Sequence, residues 1–350
     1  MAIGIAGAGL LGRLLAWRLS RDGHRVTVVD PAPGPAPRFD GQGAAGFTAA
    51  GMLSPLAEME NAGAEVAALG WRSIARWAQI VESLDARPLF AQRGSLLLAH
   101  RNDLGAAQRV LARLPAEQVR PLPAPQLAEM EPSVQGPSHA WWLPGEAQID
   151  PVATLCALQA EATGAAWRWN TRVLQVSPGA LHLDDGHTQR FDVVFDVRGV
   201  GAQPDLPVRG VRGEIVWLHA PGHGLQRPLR LLHPRHRVYL VPRPGDTIVV
   251  GASEVESEDR SPVSLRSAVE LMAAAHSVMP CLAEARILRL DRNLRPALPD
   301  NLPRTEAADG IVRINGLFRH GWLLAPALVD DALASAGLGA VQPQVAEAVR

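Results

Sequence analysis

The feature that most constrains the fold is a glycine loop, GAGLLG, at positions 7–12. An apolar run at 2–6 precedes it, and a stretch with helical spacing at 10–21 follows. The segment RVTVVD at 25–30 then predicts a second strand. Strand, glycine turn, helix and strand in this order predict a β-α-β unit at the start of the chain.

The chemistry of this unit indicates its ligand. Gly7, Gly9 and Gly12 let backbone N–H groups at a helix N-terminus approach a pyrophosphate closely. Asp30, which ends the second strand, can accept hydrogen bonds from ribose hydroxyls and argues against the 2′-phosphate of NADP. FAD and NAD share the ADP half that such a loop binds. The long and β-rich chain that follows the unit favours FAD over the NAD of a simple dehydrogenase.

Composition excludes several classes of function. The chain has 350 residues, which suggests two domains, and its 34 basic residues against 35 acidic ones give a net charge of -1. No nucleic acid or membrane partner is expected from this balance. All 34 basic residues are arginine, because the sequence contains no lysine. Pyridoxal-phosphate enzymes, lysine-dependent aldolases and P-loop NTPases are therefore excluded.

The cysteines and the first residues bear on the compartment. Cys156 and Cys281 form neither a disulfide framework nor a Cys-x-x-Cys motif. The apolar start of the chain has no basic segment before it and is broken by glycines, which predicts neither a signal peptide nor a membrane span. We expect a cytoplasmic protein.

The histidines offer two pairs with ligand-like spacing, His219 with His223 and His233 with His236. Both pairs lie in predicted Pro- and Gly-rich loops, without carboxylates or cysteines that converge on them. No metal site is expected.

The rest of the pattern predicts an alternation of helices and strands. Strands are predicted at 94–99, 173–176, 180–183, 191–197, 213–218, 237–242, 247–251, 287–290 and 311–315. Helices are predicted at 64–84, 103–114, 151–163, 262–278 and 322–336, with a further helix beginning within 44–52. Asp150 before Pro151 is typical of a helix start, whereas the prolines of 115–138 indicate a connection without regular structure.

This order predicts an α/β fold in which a Rossmann-like FAD-binding domain is interleaved with a mixed antiparallel β-sheet substrate domain. The FAD-binding domain is expected at 1–60, 139–208 and 292–350. The substrate domain is expected at 61–138 and 209–291.

Seven segments, spread over almost the whole chain, carry a second pattern. They are AAGMLSP (49–55), RGSLLLA (93–99), GEAQIDP (145–151), GVRGEIVWL (210–218), YLVPRPGDTIVVGASE (239–254), RPALPDNLP (295–303) and LFRHGWLLAPAL (317–328). In this order, behind a dinucleotide loop, they resemble the flavin-dependent amine and amino-acid oxidases of the D-amino-acid oxidase family. The glycine-oxidising members of the thiamine pathway are the most similar.

The resemblance implies a set of positions along a non-covalent FAD, from the pyrophosphate loop through the ribose and adenine to the isoalloxazine. These positions are Leu10, Leu11, Asp30, Pro31, Ala45, Gly46, Ala50, Gly51, Met52, Val173, Gly199, Leu317, Phe318, Arg319, His320, Gly321, Trp322 and Leu323. The turn that ends this series opens a helix, whose dipole would stabilise the negative charge of reduced flavin.

For the substrate, the resemblance singles out Arg295 and Arg319 as carboxylate ligands and Tyr239 as a hydrogen-bonding neighbour. A planar guanidinium in a pocket poor in water suits a carboxylate. Glu254 follows in the same predicted hairpin, where it would orient an ammonium group or face solvent. No acid-base residue is expected if the amine binds in its neutral form.

The implied reaction is oxidative deamination of glycine and other small amines, by hydride transfer from the α-carbon to the flavin. The partners would be a small amino acid and dioxygen, with hydrogen peroxide as a product, and the imine could serve thiazole synthesis. A homo-oligomer, dimer or tetramer, is expected. Two alternatives stay open: a D-amino-acid or sarcosine-type oxidase or dehydrogenase, and an FAD-binding protein without amine oxidase activity.

Three departures from the family pattern put the tuning of the flavin in question. Phe47 occupies a position that is usually small and polar, which removes hydroxyl contacts to phosphate or flavin. The segment 196–202 (DVRGVGA) replaces a more alanine-rich strand end. His320 in FRHG stands where asparagine is more usual.

Overall fold

The computed structural model describes residues 1–233 and 237–338. Its strands are β1 (Ala2–Ala6), β2 (Arg25–Val29), β3 (Met52–Leu53), β4 (Phe90–Ala91), β5 (Ser95–Ala99), β6 (Arg120–Pro121), β7 (His139–Leu143), β8 (Ala147–Ile149), β9 (Ala165–Arg168), β10 (Val173–Ser177), β11 (Ala180–Leu183), β12 (Thr188–Arg190), β13 (Val193–Asp196), β14 (Arg209–His219), β15 (Leu229–Leu232), β16 (Arg237–Arg243), β17 (Thr247–Gly251), β18 (Arg286–Ala297), β19 (Arg304–Ala308) and β20 (Ile311–Asn315). Its helices are α1 (Leu10–Arg21), α2 (Pro55–Ser83), α3 (Leu104–Leu111), α4 (Ala124–Met130), α5 (Pro151–Glu161), α6 (Leu265–Val278) and α7 (Gly321–Ser335).

A six-stranded sheet in the order β19-β20-β13-β1-β2-β9 carries the glycine loop. Its strands pair in parallel except for β19, which is antiparallel to β20 at the edge. Apolar side chains of this sheet pack with those of α1, α2, α5 and α7 in the largest core cluster. A three-stranded sheet, β10-β11-β12, shares a second, smaller core with β1, β2, β13 and β20. The carboxyl ends of β1 and β2 are neighbours, as a dinucleotide crevice requires.

An eight-stranded sheet in the order β18-β14-β17-β16-β15-β5-β7-β6 forms the other large layer. Only β15 and β5 pair in parallel within it. Helix α6 packs against this sheet around a separate core, and β3, β8 and β4 form a small additional sheet. The predicted α/β fold, with a Rossmann-like unit and a mixed antiparallel sheet, is confirmed.

The division of the chain between two domains stays a prediction. Strand β7 begins at the expected boundary, residue 139, and is hydrogen-bonded into the eight-stranded sheet between β5 and β6. Strand β18 runs across the expected boundary at 292 and pairs with β14 at the edge of that sheet on both sides of the boundary.

Local signals in the sequence placed several elements correctly. Strand β1 and helix α1 have the predicted bounds. The side chain of Asp150 accepts a hydrogen bond from the Ala153 N–H at 3.0 Å, with Pro151 as the first helical residue, so the predicted start of α5 is confirmed.

Other expectations were wrong in part. The helix expected within 44–52 is a single 3-10 turn at Ala45–Thr48 that leads into β3. Helix α6 begins at Leu265, because Ser264 and not Ser261 accepts a hydrogen bond from a first-turn N–H. Helix α2 starts before the expected 64–84 and is kinked at Gly63, where φ is 79°.

Some elements that depend on contacts with distant segments were not predicted from the sequence. Helix α4 lies inside the supposedly irregular 115–138, and β15 bridges β16 and β5. The strand predicted at 191–197 is β13, which joins β1 and β20 in the six-stranded sheet, whereas β12, which was not predicted, pairs with β11.

Across the described ranges, the helices lack the length and apolar character needed to cross a bilayer. Among the same residues, no group of three or more His, Cys, Asp or Glu side chains is placed to hold a metal ion. Of the two histidine pairs noted in the sequence, His236 lies outside the described residues.

Candidate active site

A cavity of about 1810 Å³ lies at the carboxyl ends of β1 and β2 and reaches the eight-stranded sheet. The residues predicted to contact cofactor or substrate line it, with Gly12 as the exception. The cavity therefore brings together residues that are more than 300 positions apart in the sequence, such as Gly7 and Arg319.

The glycine loop forms one end of this cavity. Gly7 has a φ of 106°, and a Cβ at this position would lie 2.8 Å from the Val197 carbonyl oxygen. A Cβ on Gly12 would overlap the Gly7 carbonyl oxygen, which explains why Gly12 serves the packing of α1 on the loop and does not line the cavity. Gly9, by contrast, has open space around its missing side chain, with only the Ala44 Cβ within 4 Å.

The N-terminus of α1 is suited to bind an anion. Its N-cap, Gly9, offers no side-chain hydrogen bond, and its first turn carries no acidic residue. The first-turn N–H groups of an α-helix have no partner within the helix, so those of α1 are available to oxygen atoms in the cavity. This donor set fits the diphosphate of a dinucleotide.

Asp30 fixes the shape of the loop. One oxygen of its carboxylate accepts a hydrogen bond from the Ala8 N–H at 2.6 Å, and the other accepts one from the Ala32 N–H at 2.8 Å. Each carboxylate oxygen has a second lone pair, which leaves acceptor capacity for ribose hydroxyls. The residue thus holds two loops together and remains suited to its predicted role.

The altered segment 196–202 forms a compact ion-pair cluster beside Val173, the position predicted for the adenine. Arg198 donates to both oxygens of Asp196, at 2.8 and 2.7 Å, and to Asp205 at 2.8 Å. The same guanidinium donates to the Val173 carbonyl at 3.2 Å. Gly199 and Val173 both line the cavity, so the cluster braces this wall of the site.

The segment 45–52 crosses the middle of the cavity and is tied down from two sides. The indole N–H of Trp322 donates to the Gly46 carbonyl at 3.1 Å. From behind, the buried guanidinium of Arg243 donates to the carbonyls of Ala50 and Ile149. The predicted flavin-side positions are therefore held through their backbone carbonyls, and they line the cavity.

Arg295 lies at the far end, on β18 opposite β14. Its guanidinium lies flat over Gly213, where a Cβ would come within 2.5 Å of Cζ. It donates to the carbonyls of Ser253 at 3.0 Å and Arg212 at 3.4 Å. In the part of the chain that the structure describes, no carboxylate oxygen lies within 4 Å of it. Burial lowers the pKa of Arg295, although the group stays protonated.

Arg319 and Tyr239 lie near Arg295. Arg319 pairs with Glu254 at 3.1 Å, and the Glu254 side chain is 47% exposed at the mouth of the cavity. Burial raises the pKa of Tyr239, whose phenol therefore stays neutral and able to donate a hydrogen bond. The structure thus brings together the four residues predicted for the substrate.

Two functional candidates were missed by sequence reasoning, Glu58 on α2 and Arg230 on β15. They form a buried ion pair at 2.5 Å that lines the cavity, and Glu58 also lies 3.4 Å from Arg319. Burial opposes ionisation of Glu58, but Arg230, Arg319 and His320 together hold its pKa at about 2. A pair separated by 172 residues leaves no spacing signal in the sequence.

His320, one of the departures, is buried at the start of α7. Its Nδ1 lies 3.4 Å from Glu58 Oε2, too far for a good hydrogen bond. Burial lowers the pKa of His320 despite this carboxylate. The imidazole is therefore neutral near pH 7.

Comparison with known proteins decides the family. The profile of the DAO family, described as FAD dependent oxidoreductase, matches residues 2–331. The chain belongs to this family. The predicted FAD is thereby confirmed, and the donor set at the glycine loop fits it.

Relatives of this DAO-family chain narrow the class of chemistry. It is 38% identical, over 95% of each chain, to a protein of Rhizobium etli named as a thiamine biosynthesis oxidoreductase, ThiO. Its fold is similar to that of glycine oxidase from Geobacillus kaustophilus, with a TM-score of 0.82 and 24% identity over 97% of this chain and 95% of that one. Iminodiacetate oxidase from Chelativorans sp. BNC1 is similar over 97% of both chains, with a TM-score of 0.80 and 25% identity. The protein is an FAD-dependent amine oxidase, as predicted.

Proposed function

We propose that this oxidase acts on glycine and other small amino acids, with dioxygen as the electron acceptor. The observation that carries the proposal is Arg295, a half-buried side chain that lines the cavity and, among the described residues, donates only to backbone carbonyls. A cation partly removed from water without an ion-pair partner is costly, and a bidentate carboxylate is its best complement. The name of the Geobacillus kaustophilus protein, glycine oxidase, supports the same substrate class.

The charges around this end of the cavity favour a substrate with one negative charge. Three guanidinium groups, of Arg230, Arg295 and Arg319, face two carboxylates, of Glu58 and Glu254. One positive charge is left over. An amino acid bound with a neutral amine and an ionised carboxylate balances it.

The residues then act by binding and orienting. Arg295 holds the carboxylate, the Tyr239 phenol donates to it, and Glu254 lies where it can receive a hydrogen bond from the amine.

Bound FAD supplies a two-electron acceptor, and dioxygen reoxidises it. In balance, glycine, dioxygen and water give glyoxylate, ammonia and hydrogen peroxide. No side chain has to remove a proton when the amine binds neutral, so positioning carries the rate. The imine formed before hydrolysis is suited to supply thiazole synthesis.

We propose that the flavin is bound without a covalent link. Cys156 is partly buried on α5 and Cys281 is exposed on a 3-10 turn, and neither thiol is among the residues that line the cavity. Denaturation with acid should therefore release all the yellow colour from the protein.

The first test is the visible spectrum of the purified holoprotein under anaerobic conditions, before and after addition of glycine. Bleaching of the flavin bands is the expected result. If glycine leaves the bands unchanged, a survey with sarcosine, D-alanine and D-proline separates the alternative oxidases. If no amine bleaches them, the proposal of amine oxidation by this site fails.

The role of Arg295 is tested by Arg295→Met. Loss of a charge-assisted bidentate contact should lower kcat/KM for glycine by roughly 100- to 1000-fold. Arg286→Met, which removes an exposed guanidinium from the same strand, is the matched control and should change kcat/KM by less than about twofold. Equal kcat/KM for glycine in the Arg295 and Arg286 variants would rule out the carboxylate contact.

A further inference from the structure

Arg13 lies directly behind the glycine loop and is 2% exposed. Its Nε donates to the Ala8 carbonyl at 2.9 Å, within the loop itself. Its Nη1 donates to the Leu155 carbonyl on α5 at 3.0 Å, and its Nη2 donates to the Pro35 carbonyl at 2.9 Å. One guanidinium therefore joins the three segments that surround the diphosphate end of the cavity.

The charge of this guanidinium has no direct ion pair among the described residues, although Asp30 attracts it from a greater distance. Within residues 1–233 and 237–338, no carboxylate oxygen lies within 4 Å of Arg13. The aromatic rings of Phe47 and Trp169 lie 5.0 and 6.0 Å from its Cζ and stabilise the cation by their quadrupoles. Burial lowers the pKa of Arg13, against the weaker opposing influence of Asp30.

An anion bound in the cavity would balance the charge of Arg13. Arg13 lines it together with Ala8, Gly9 and Ala36, at the end where the uncapped N-terminus of α1 fits a diphosphate. A fixed charge separated from an anion only by one loop acts through a region of low dielectric, where it is weakly screened by salt.

We propose that Arg13 is a fixed counter-charge for the diphosphate of FAD, positioned by Phe47 and Trp169. This assignment accounts for Phe47, the bulky residue at a position where a small polar one was expected. A small polar side chain there would offer the cofactor a hydroxyl group. In this chain a full positive charge, which the Phe47 ring helps to hold, takes the place of that hydroxyl. The inference concerns cofactor binding and is independent of which amine is oxidised.

The test is displacement of FAD from the holoprotein by ADP and by adenosine, followed by the fluorescence of released flavin. Adenosine lacks the diphosphate but keeps the base and ribose. In Arg13→Met, the dissociation constants of FAD and ADP should rise by roughly 10- to 100-fold, and that of adenosine by less than about threefold. Arg21→Met, from the exposed face of the same helix, is the matched control and should leave all three unchanged.

Arg13→Lys keeps the charge but loses the planar fork. We expect it to retain the preference for ADP over adenosine to within about fivefold, and it is the deciding variant if Arg13→Met does not fold by circular dichroism. An equal loss of ADP and adenosine affinity in Arg13→Met would show that Arg13 only braces the loops, and the proposal would be overturned. A fall of more than about tenfold in the preference for ADP in Arg13→Lys, which keeps the charge, would overturn it as well. Because no amine enters the assay, its outcome is separate from that of the glycine test.

Discussion

Glu146 is a residue whose ionisation conflicts with its surroundings. It is fully buried, and one oxygen accepts hydrogen bonds from the N–H groups of Leu56 and Ala57 at the start of α2, at 3.0 and 3.3 Å. The other oxygen accepts one from the Ser95 hydroxyl at 2.5 Å. Burial outweighs these donors and raises the pKa of Glu146 to about 7.

This pKa makes the free energy of unfolding depend on pH. Between 4.5, the usual value, and about 7, the folded protein holds a proton that the unfolded chain has released, so stability falls as pH rises through this window. Glu146→Gln removes the ionisation and should be more stable than the wild type by roughly 2–3 kcal/mol at pH 8, with little difference at pH 5. Urea unfolding at both pH values measures it.

The exposed Glu82 provides the control. Glu82→Gln should follow the wild-type dependence on pH within about 0.5 kcal/mol. Parallel pH dependences for Glu146→Gln and the wild type would contradict the assigned titration.

At the scale of residues, the sequence revealed those site positions whose function depends on local pattern. Gly7, Gly9 and Asp30 could be found because a turn, a helix start and a strand end lie within 25 residues of one another. Glu58 and Arg230 could not, because their pairing is made only by the packing of α2 on β15. Arg13 was also overlooked, since one arginine among 34 carries no signal until its burial is known.

Among the elements, α7 shows how a helix with an internal proline is held at the predicted flavin site. Pro326 lies inside it and has no N–H for the carbonyl of Trp322, four residues earlier. That carbonyl instead accepts a hydrogen bond from the indole N–H of Trp77 on α2, at 2.7 Å. The two indole rings also contact each other, with centroids 5.3 Å apart.

Trp77→Phe should leave the Trp322 carbonyl buried without a partner and lower the free energy of unfolding by roughly 2–4 kcal/mol. Trp17→Phe is the matched control, because the buried Trp17 Nε1 has no hydrogen-bond partner among the described residues. Its loss should be smaller by about 1–2 kcal/mol. Equal losses in urea unfolding would show that ring volume alone matters at position 77.

The elements that could be predicted from the sequence are those determined by short-range interactions. Strand β1, helix α1 and the start of α5 depend on apolar periodicity, a glycine turn and an Asp-Pro cap, all of which can be read locally. The turn at Ala45–Thr48 looked helical because its residues are small, but its course is set by contacts from Trp322 and Arg243. Such distant contacts override local propensity.

At the scale of the whole molecule, two stretches expose large apolar side chains. Leu265 and Val269, on α6, are 82% and 53% exposed, and Ile287 and Leu288, on β18, are 54% and 56% exposed. Strand β18 is an edge of the eight-stranded sheet, so its outer backbone groups are open to pairing. Apolar exposure of this kind is typical of a surface that another protein covers.

We therefore expect self-association, with a mass two or four times 37.4 kDa in sedimentation equilibrium. Leu288→Asp should shift the distribution towards the monomer, because it buries a charge in any contact that uses this edge. Leu174→Asp, which alters an exposed leucine of β10 in a different sheet, is the control and should not shift it. A monomeric wild type at micromolar concentration would refute the expectation.

The strand order of the six-stranded sheet has a consequence for how this protein is made. Strand β1 is completed by β13, which is synthesised about 190 residues later, and β13 by β20, which comes after a further hundred or so. On the ribosome, the nascent chain carries its glycine loop long before it has the wall at 317–323 that closes the site. The edge of β1 that β13 covers must therefore be shielded until β13 has been made, and the flavin can enter its complete site only after residues 317–323 have been synthesised.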